Sequence, residues 1–304
     1  MKNWIMVFLK GMGMGAADVI PGVSGGTIAF ITGIYERLIT AIKSVNWQNI
    51  KLFFTGHFKE FWKNIDGTFL LFLIAGIVTS FLSLAKLMTY LLENQPVLVW
   101  AFFFGLIMAS TIFIGKDVKW NWKTVLTFVL FAVLSFFITS PENQPLNATN
   151  ANWYIFLCGA IAICAMILPG ISGSFILVLL GEYLFMLSAI ANLNIVPILI
   201  FMCGAVIGLL SFANLLSWLF KHFKMITLAA LTGFMLGSLN KIWPWKETLS
   251  TYADRHGVEH ALTQMNVLPA SYSGDPQILW AVLLVVFGFA LIFIIEFIAK
   301  KLSK

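Results

Sequence analysis

The sequence predicts an all-α polytopic membrane protein made of two inverted-topology repeats of five segments, each with a broken or re-entrant helical hairpin. The composition, the length of the apolar runs and a duplicated motif support this fold class. Of 304 residues, 60% are hydrophobic and 11% charged, and the mean hydropathy is +0.92, which excludes an ordinary soluble globule. Apolar runs such as residues 69–92 and 278–298 match the ~20 residues that a helix needs to cross a bilayer.

Apolar runs separated by polar stretches predict ten segments. They cover residues 4–20, 24–42, 68–92, 96–114, 123–139, 152–168, 172–190, 195–219, 225–240 and 278–299. Lysine and arginine cluster between the second and third, fourth and fifth, and eighth and ninth segments, and at the C-terminus, whereas residues 140–152 contain neither. The basic parts and both termini are therefore expected in the cytoplasm. Basic residues at the ends of cytoplasmic loops are what membrane topology requires, and they account for the net charge of +6. We therefore expect no nucleic-acid binding.

The second half of the chain repeats the first. At an offset of 148 positions, the first of two matched sets pairs Pro21, Gly22, Ser24, Gly25, Ile28, Gly33 and Tyr35 with Pro169, Gly170, Ser172, Gly173, Ile176, Gly181 and Tyr183. At an offset of 128, the second set pairs Gly76, Ser83, Ala85, Leu87, Ala101, Gly105 and Ser110 with Gly204, Ser211, Ala213, Leu215, Ala229, Gly233 and Ser238. The repeats are expected to cover residues 1–140 and 152–304, within one membrane domain. Because five is odd, the second copy enters the membrane from the opposite side, as in many secondary transporters.

Each copy contains the motif Pro-Gly-x-Ser-Gly, which predicts an interrupted helix. Pro21 and Pro169 lack a backbone N–H, Gly22 and Gly170 tolerate unusual dihedrals, and a serine follows that suits a helix N-cap. The exposed N–H groups and the helix dipole favour a phosphate or carboxylate at such a start. The predicted anion-binding residues are Ser24, Gly25, Gly26, Thr27, Ser172, Gly173 and Ser174. The alternative is that the glycines allow close helix packing and the prolines only kink helices.

The stretch GAADVIPGVSGGTIAFITGIYERLI, together with LPGISGSFILVLLGEY, resembles the signature of the polyprenyl-phosphate (undecaprenyl-phosphate) translocase family, PopT, formerly a domain of unknown function. The resemblance is most specific over residues 11–40, and the segment layout fits the whole chain. It implies a flippase of the bacterial cytoplasmic membrane that returns undecaprenyl phosphate from the outer to the inner leaflet, which recycles the carrier for peptidoglycan and other envelope polymers. The implied partners are the polyprenyl-phosphate lipid and the bilayer, and homo-oligomerisation is left open.

Several charged residues near the expected segments are candidates for transport. We expect Asp18, Glu36 and Glu182 to couple transport to protons, because an intramembrane carboxylate is a functional candidate. We expect Arg37 and Lys86 to contact the phosphate. The alternatives are a cap for Asp18, a topology signal for Arg37 and an interfacial position for Lys86. Inward movement of an anion opposes the membrane potential, so we expect coupling to protons or to that potential.

Other classes of function remain as alternatives. The same anion site would suit a carrier for a soluble organic anion. His256-Gly-Val-Glu259-His260 matches the H-x-x-E-H metalloprotease pattern, but it lies in a polar loop without an evident third ligand. A membrane phosphatase would need a nucleophile or an acid, and no histidine lies near either break. We therefore expect a transporter without enzyme activity, cofactor or metal.

Overall fold

The computed structural model describes residues 4–18, 24–140, 149, 151–253 and 259–302. The helices are α1 (Trp4–Asp18), α2 (Gly25–Ile31), α3 (Tyr35–Lys43), α4 (Trp47–Phe54), α5 (Phe58–Asn64), α6 (Gly67–Asn94), α7 (Pro96–Gly115), α8 (Trp122–Ile138), α9 (Asn152–Ile167), α10 (Gly173–Leu179), α11 (Tyr183–Ala191), α12 (Ile195–Ser238) and α13 (Ile278–Leu302). One antiparallel sheet contains β1 (Lys246–Ala253) and β2 (Glu259–Asn266), and a short 3-10 helix follows at Pro269–Ser271.

The helices have the length and the surface of a membrane protein. Among the described helices, α7 and α12 are each long and apolar enough to cross a bilayer, and two bent helix pairs raise the number to four if each pair is one span. The bent pairs are Phe58–Asn64 with Gly67–Ser83 and Gly173–Leu179 with Tyr183–Ile190. Large apolar side chains are exposed along α8 and α13, for example Leu130 and Val286. Lipid would cover such a surface, and the chain is a mainly helical membrane protein.

Two of the predicted segments are each a pair of short helices. Residues 24–42 form α2 and α3, and residues 172–190 form α10 and α11. The turns contain Gly33, with φ 72°, and Gly181, with φ 74°, and a positive φ favours glycine because it lacks a Cβ. These two glycines correspond at the offset of 148. Their match was predicted from the repeat, whereas the turn that each glycine makes was not.

The predicted break between the eighth and ninth segments corresponds to a kink in α12. The segments expected at 195–219 and 225–240 are the two helical parts of α12, and the kink between them is at Phe223, whose backbone is non-helical with φ −134° and ψ 43°. The polar loop after α12 contains the β1–β2 hairpin, which was not predicted. The helices of the chain otherwise follow the predicted order.

The chain forms two compact units. The first contains Met1–Thr89 and Asn147–Thr227, and the second contains Tyr90–Leu146 and Leu228–Lys304. Each unit therefore combines parts of both predicted repeats. The predicted division into residues 1–140 and 152–304 describes similarity along the sequence, whereas the units describe packing.

In the first unit, α1 packs on α6 as α9 packs on α12. At four glycines an added Cβ would overlap a carbonyl oxygen of the facing helix, so the backbones touch. The contacts are Gly11 with Leu73, Gly159 with Phe201, Gly76 with Phe8, and Gly204 with Phe156. The partners are related by the offsets of 148 and 128 that relate the two sequences. The duplicated glycines thus make duplicated helix contacts.

In the second unit, α7 packs along α13 and the end of α12 packs on α8. Gly105 contacts the Val285 carbonyl group, and Gly233 contacts that of Phe128. Beneath the hairpin, a small core of Val97, Ala101, Trp245 and Ala281 joins α7 and α13 to the start of β1. The hairpin is therefore anchored to the helices of this unit.

Candidate functional site

The first break is the N-terminus of α2, and its backbone donors are satisfied. Ser24 is the N-cap, as predicted, and its Oγ accepts from Gly26 N at 3.0 Å. Asp18 Oδ1 accepts from Gly25 N at 2.6 Å, and Thr27 N donates to Ser24 O at 2.9 Å. Pro21 and Gly22 lie outside the described residues. A carboxylate of the chain thus occupies the start of this helix.

Helix α1 supplies a charge to each end of α2. Asp18 lies at the N-terminus of α2, and Lys10 Nζ donates to Thr32 O at the C-cap, at 2.7 Å. Both charges complement the helix dipole, which favours anions at the start and cations at the end. This arrangement explains why the chain has a lysine and an aspartate in an apolar helix.

The second break follows α9 and has the same plan. Ser172 is the N-cap of α10, as predicted, and its Oγ accepts from Phe175 N at 3.2 Å. Ser174 Oγ lies 3.2 Å from Ser172 Oγ. Pro169 is buried, and Gly170 has φ 97°, a conformation that favours glycine. Both serines of the motif therefore begin a helix.

The two breaks lie against each other within the first unit. Three hydrogen bonds join them: Ser24 Oγ to Met166 O at 2.6 Å, Tyr35 Oη to Ile167 O at 3.1 Å, and Gly170 N to Thr27 Oγ1 at 2.9 Å. Met166 and Ile167 end α9, where the last carbonyl groups lack partners within the helix. The hydroxyl groups of the first copy thus satisfy the helix end that precedes the second motif.

The contact between the two breaks is buried and tightly packed. Ser24 and Thr27 are 1% and 0% exposed, so their hydrogen bonds are shielded from solvent. A Cβ added at Gly26 would lie 2.5 Å from Ile167 O. The position therefore requires glycine for packing, which was the alternative role considered for the motif.

Arg37 and Glu36, at the start of α3, form ion pairs away from both motifs. The Arg37 guanidinium contacts Asp66 through Nε to Oδ2 at 2.6 Å and Nη2 to Oδ1 at 3.0 Å, and it lies 4.2 Å from the centroid of the Phe69 ring. Glu36 pairs with Lys224 at 2.7 Å. A cavity of about 250 Å³ adjoins Glu36, Arg37 and Asp66. Asp66 was not predicted as a site residue, because its only signal in the sequence is an acidic residue within a basic loop.

Glu182 and Lys86 complete the predicted set. Glu182 is fully buried at the N-cap of α11, beside Tyr154 and Cys158 of α9. Tyr154 Oη donates to Leu180 O at 2.7 Å, so the turn before Glu182 is tied to α9. Lys86 belongs to α6, and its side chain lies outside the described part. The two breaks come together, whereas Arg37 and Glu36 form a separate polar cluster.

Most of the H-x-x-E-H stretch lies outside the residues that the structure describes. His256 lies outside the described residues, as does the His260 side chain. In the described part of the chain, no group of three histidine, cysteine or acidic residues could hold a metal.

Comparisons with known proteins point to one family. A family model described as undecaprenyl phosphate translocase-like matches residues 14–260. A polyprenyl-phosphate transporter of Vibrio cholerae is 44% identical over 304 residues, which cover 98% of each chain. A polyprenyl-phosphate transporter of Staphylococcus aureus is 32% identical over 259 residues, which cover 80% of this chain and 87% of that protein. No solved structure matches.

Proposed function

Because this chain belongs to the undecaprenyl phosphate translocase-like family, we propose that it transports polyprenyl phosphate across the bacterial cytoplasmic membrane. The proposed direction returns undecaprenyl phosphate from the outer to the inner leaflet, and both termini lie in the cytoplasm. The names of the two relatives support the substrate class. The exposed apolar surface of the helices supports a location in the bilayer.

The observation that carries this proposal is the junction of the two breaks. The start of α2, in the first half of the chain, meets the end of α9 and the loop before α10, in the second half, through buried hydroxyl groups. Interrupted helices at membrane depth are characteristic of transporter substrate sites, where helix N-termini bind anionic groups. We assign the phosphate to this junction, with Ser24, Gly25, Gly26 and Thr27 on one side and Ser172, Gly173 and Ser174 on the other.

Asp18 gives this site a coupling mechanism. Its carboxylate accepts from Gly25 N, which is a position that a phosphate oxygen would take. Two anions that accept from the same N–H group repel each other. Phosphate binding would therefore favour the protonated form of Asp18, or movement of its side chain away from Gly25 N. Inward transfer of a phosphate with about −1.5 to −2 charges opposes an interior-negative potential by about 2.3 kcal/mol per charge per 100 mV. Proton uptake at Asp18 would offset part of that cost.

The repeated glycine contacts support the proposal of two inverted halves. The same pairs of positions pack α1 on α6 and α9 on α12. An odd number of segments in each half then places the second break in the membrane from the opposite side. Alternating access would follow from movement of one half relative to the other.

The remaining charged residues are proposed to act along the path that the phosphate head group takes to and from the junction. Arg37 and Lys86 are proposed to contact the phosphate as it leaves or reaches the junction, and Glu36 and Glu182 to exchange protons. Arg37 would have to release Asp66 to bind a phosphate. An arginine is suited to this exchange because its guanidinium can bind either anion through two parallel hydrogen bonds.

The experiment is undecaprenyl-phosphate translocation in proteoliposomes at matched protein levels. Ser24→Ala and Ser172→Ala should each lower the flux at least tenfold, because each change removes a hydroxyl group from the junction. Ser24→Thr should restore flux, since it returns the hydroxyl group. Ser83→Ala is the matched control, because the exposed Ser83 Oγ only donates to Thr79 O of its own helix.

The outcomes separate the alternatives. Normal flux in both alanine variants would leave the motifs as packing devices and move the phosphate to Arg37 and Lys86. A parent protein without lipid flux that exchanges a soluble organic anion would establish the other transporter class. Stability of each variant is measured in parallel, so a folding defect is not counted as a transport defect.

A further inference from the structure

The α4–α5 hairpin, residues 47–64, exposes a large aromatic surface that the proposed transport site does not use. Every residue of these two helices is described, and none of them is buried. Trp47 and Phe54 are 76% and 79% exposed, and Phe53, Phe58 and Trp62 are also exposed. A surface in contact with water rarely keeps so many large apolar side chains together. This surface therefore requires a partner.

Lysines accompany the aromatic side chains on both helices. In α4, the charged residue is Lys51. In α5, Phe58 and Trp62 are four positions apart, as are Lys59 and Lys63. Residues four positions apart lie on the same side of a helix, so α5 has an aromatic side and a neighbouring basic side. Such an arrangement is typical of helices that lie in a membrane interface.

The charge of the α4–α5 hairpin is positive and available to a partner. Its charged residues are Lys51, Lys59, Glu60 and Lys63, and all four are exposed. The two ion pairs in the described part of the chain involve other residues. Three ammonium groups thus face the surroundings with one carboxylate between them, which favours an anionic partner.

Side-chain contacts fix the direction in which the α4–α5 hairpin presents this surface. Asn64 Nδ2 donates to Asn49 Oδ1 at 2.8 Å, which joins α5 to α4. Trp62 Nε1 donates to Thr68 Oγ1 at 3.0 Å, which joins α5 to the start of α6. The Trp62 ring also packs directly on Gly67. The orientation of the hairpin is therefore set by α6.

The direction of α6 places the α4–α5 hairpin along the membrane boundary. Helix α5 is bent by 69° from Gly67–Ser83 of α6. Spanning helices tilt by about 20° from the bilayer normal on average, so α5 lies closer to the membrane plane than to the normal. Leu71, Ile74 and Val78 of α6 are exposed apolar residues, and this surface begins about 6 Å along the helix from Gly67. The hairpin thus lies where the apolar surface of α6 begins.

We propose that the α4–α5 hairpin lies in the membrane interface and binds anionic phospholipid head groups. Its aromatic side chains enter the boundary between head groups and acyl chains, while the lysines extend to the phosphates. A lipid with a net negative charge complements the three lysines, whereas a zwitterionic lipid leaves their charge unbalanced. The hairpin thereby holds the start of α6 at a fixed depth in the bilayer.

The first test is photo-crosslinking of the full-length protein in phosphatidylcholine liposomes. The liposomes contain a trace of phosphatidylglycerol or phosphatidylcholine with a photoreactive head group, and crosslinked peptides are identified by mass spectrometry. The phosphatidylglycerol probe should label residues 47–64 at least fivefold more than the phosphatidylcholine probe. Replacing Lys51, Lys59 and Lys63 together by glutamine should remove this preference, whereas replacing them by arginine should keep it. Labelling of residues 116–123, a second lysine-containing loop, is the internal control and should not change.

The second test measures the depth of the α4–α5 hairpin. A nitroxide is attached at Phe54→Cys or at Gln48→Cys, in a variant whose three native cysteines are replaced by alanine. Phe54 and Gln48 are both exposed and lie about 120° apart around α4. Oxygen, which concentrates in the membrane, should relax the label at Phe54. A water-soluble nickel chelate should relax the label at Gln48 instead.

Three results would overturn the proposal. These are equal labelling by the two lipid probes, unchanged labelling in the glutamine variant, and a Phe54 label that the nickel chelate reaches as easily as it reaches Gln48. Spin–spin coupling between Phe54 labels would identify a second copy of the chain as the occupant and would also reject the lipid. The three lysines are exposed, so the glutamine variant should keep the melting temperature of the parent. The photoprobes report phospholipid contact whether or not polyprenyl phosphate moves, so failure here would leave the proposed function intact.

Discussion

The hydroxyl group of Thr27 accepts a hydrogen bond from the backbone N–H of Gly170 at 2.9 Å, across 143 positions of sequence. Both atoms are buried. Each residue belongs to one copy of the duplicated motif, so this bond directly connects the two helix breaks. Sequence neighbours of Thr27 do not indicate this role, because its hydroxyl group bonds to a residue outside its own helix.

Removing this acceptor should destabilise the protein. Thr27→Val keeps the size of the side chain but leaves the buried Gly170 N–H unsatisfied, which costs about 1–3 kcal/mol. We expect a lower free energy of unfolding in detergent. Thr79→Val is the control, because the exposed Thr79 Oγ1 donates to Ala75 O in its own helix. Equal effects of the two substitutions would mean that the bond between the breaks contributes nothing.

Adding a methyl group at Gly26 should separate the breaks. In Gly26→Ala, the new Cβ would lie 2.5 Å from Ile167 O and 3.0 Å from Met166 O, and neither backbone atom can move without shifting α9. We expect reduced stability and at least a tenfold loss of flux. Gly115→Ala is a matched control, since its nearest neighbour would be Trp120 Cζ2 at 3.7 Å. Wild-type flux in Gly26→Ala would contradict the close packing.

The charge of Asp18 can be separated from its capping role. In Asp18→Asn the side-chain oxygen still accepts from Gly25 N, so stability should change by less than about 1 kcal/mol, whereas Asp18→Ala loses the cap and about 1 kcal/mol or more. If the carboxylate couples transport to protons, both variants lose the dependence of flux on the proton gradient. The measurement is flux with and without an imposed pH difference. Gradient-dependent flux in Asp18→Asn would limit Asp18 to its structural role.

The ion pair of Arg37 and Asp66 should be weak but measurable. Both side chains are 34% exposed, so solvent screens the pair, and the two-bond geometry supports a coupling energy of about 0.5–1 kcal/mol. A double-mutant cycle with Arg37→Gln and Asp66→Asn measures it. The coupling should shrink in 1 M salt, where the Debye length is about 3 Å. The more exposed Glu36–Lys224 pair serves as the comparison and should couple less.

Lys241 should make stability rise with pH. Burial lowers its pKa from 10.5 to about 8 in the folded protein, so the unfolded chain binds more protons between these values. Stability then increases as the pH rises from about 8 to 10.5, because folding no longer has to discharge the lysine. Lys241→Met should lose this contribution, whereas the exposed Lys119→Met should keep it. The measurement is the melting temperature across that pH range. If Lys241→Met kept the same pH profile as the parent protein, Lys241 would not be the source of the pH dependence.

The N-caps show how far sequence reasoning reaches. Ser24 and Ser172 were predicted to begin helices, and they do, because a cap is a bond between residues two or three positions apart. The turns at Gly33 and Gly181 were not predicted, although both glycines had been matched. A glycine permits a positive φ but does not require one, and the packing of the flanking helices selects it.

The sequence by itself determined the class of the protein, the order of its helices and the duplication of its motif, since these depend on composition, local hydrogen bonding and periodicity. Tertiary structure alone decided that Ser24 meets Met166, that Arg37 pairs with Asp66, and that Lys246 lies over Trp100. These partners lie far apart along the chain. Their contacts depend on how helices pack and on which buried polar groups remain to be satisfied, and neither can be read from neighbouring residues.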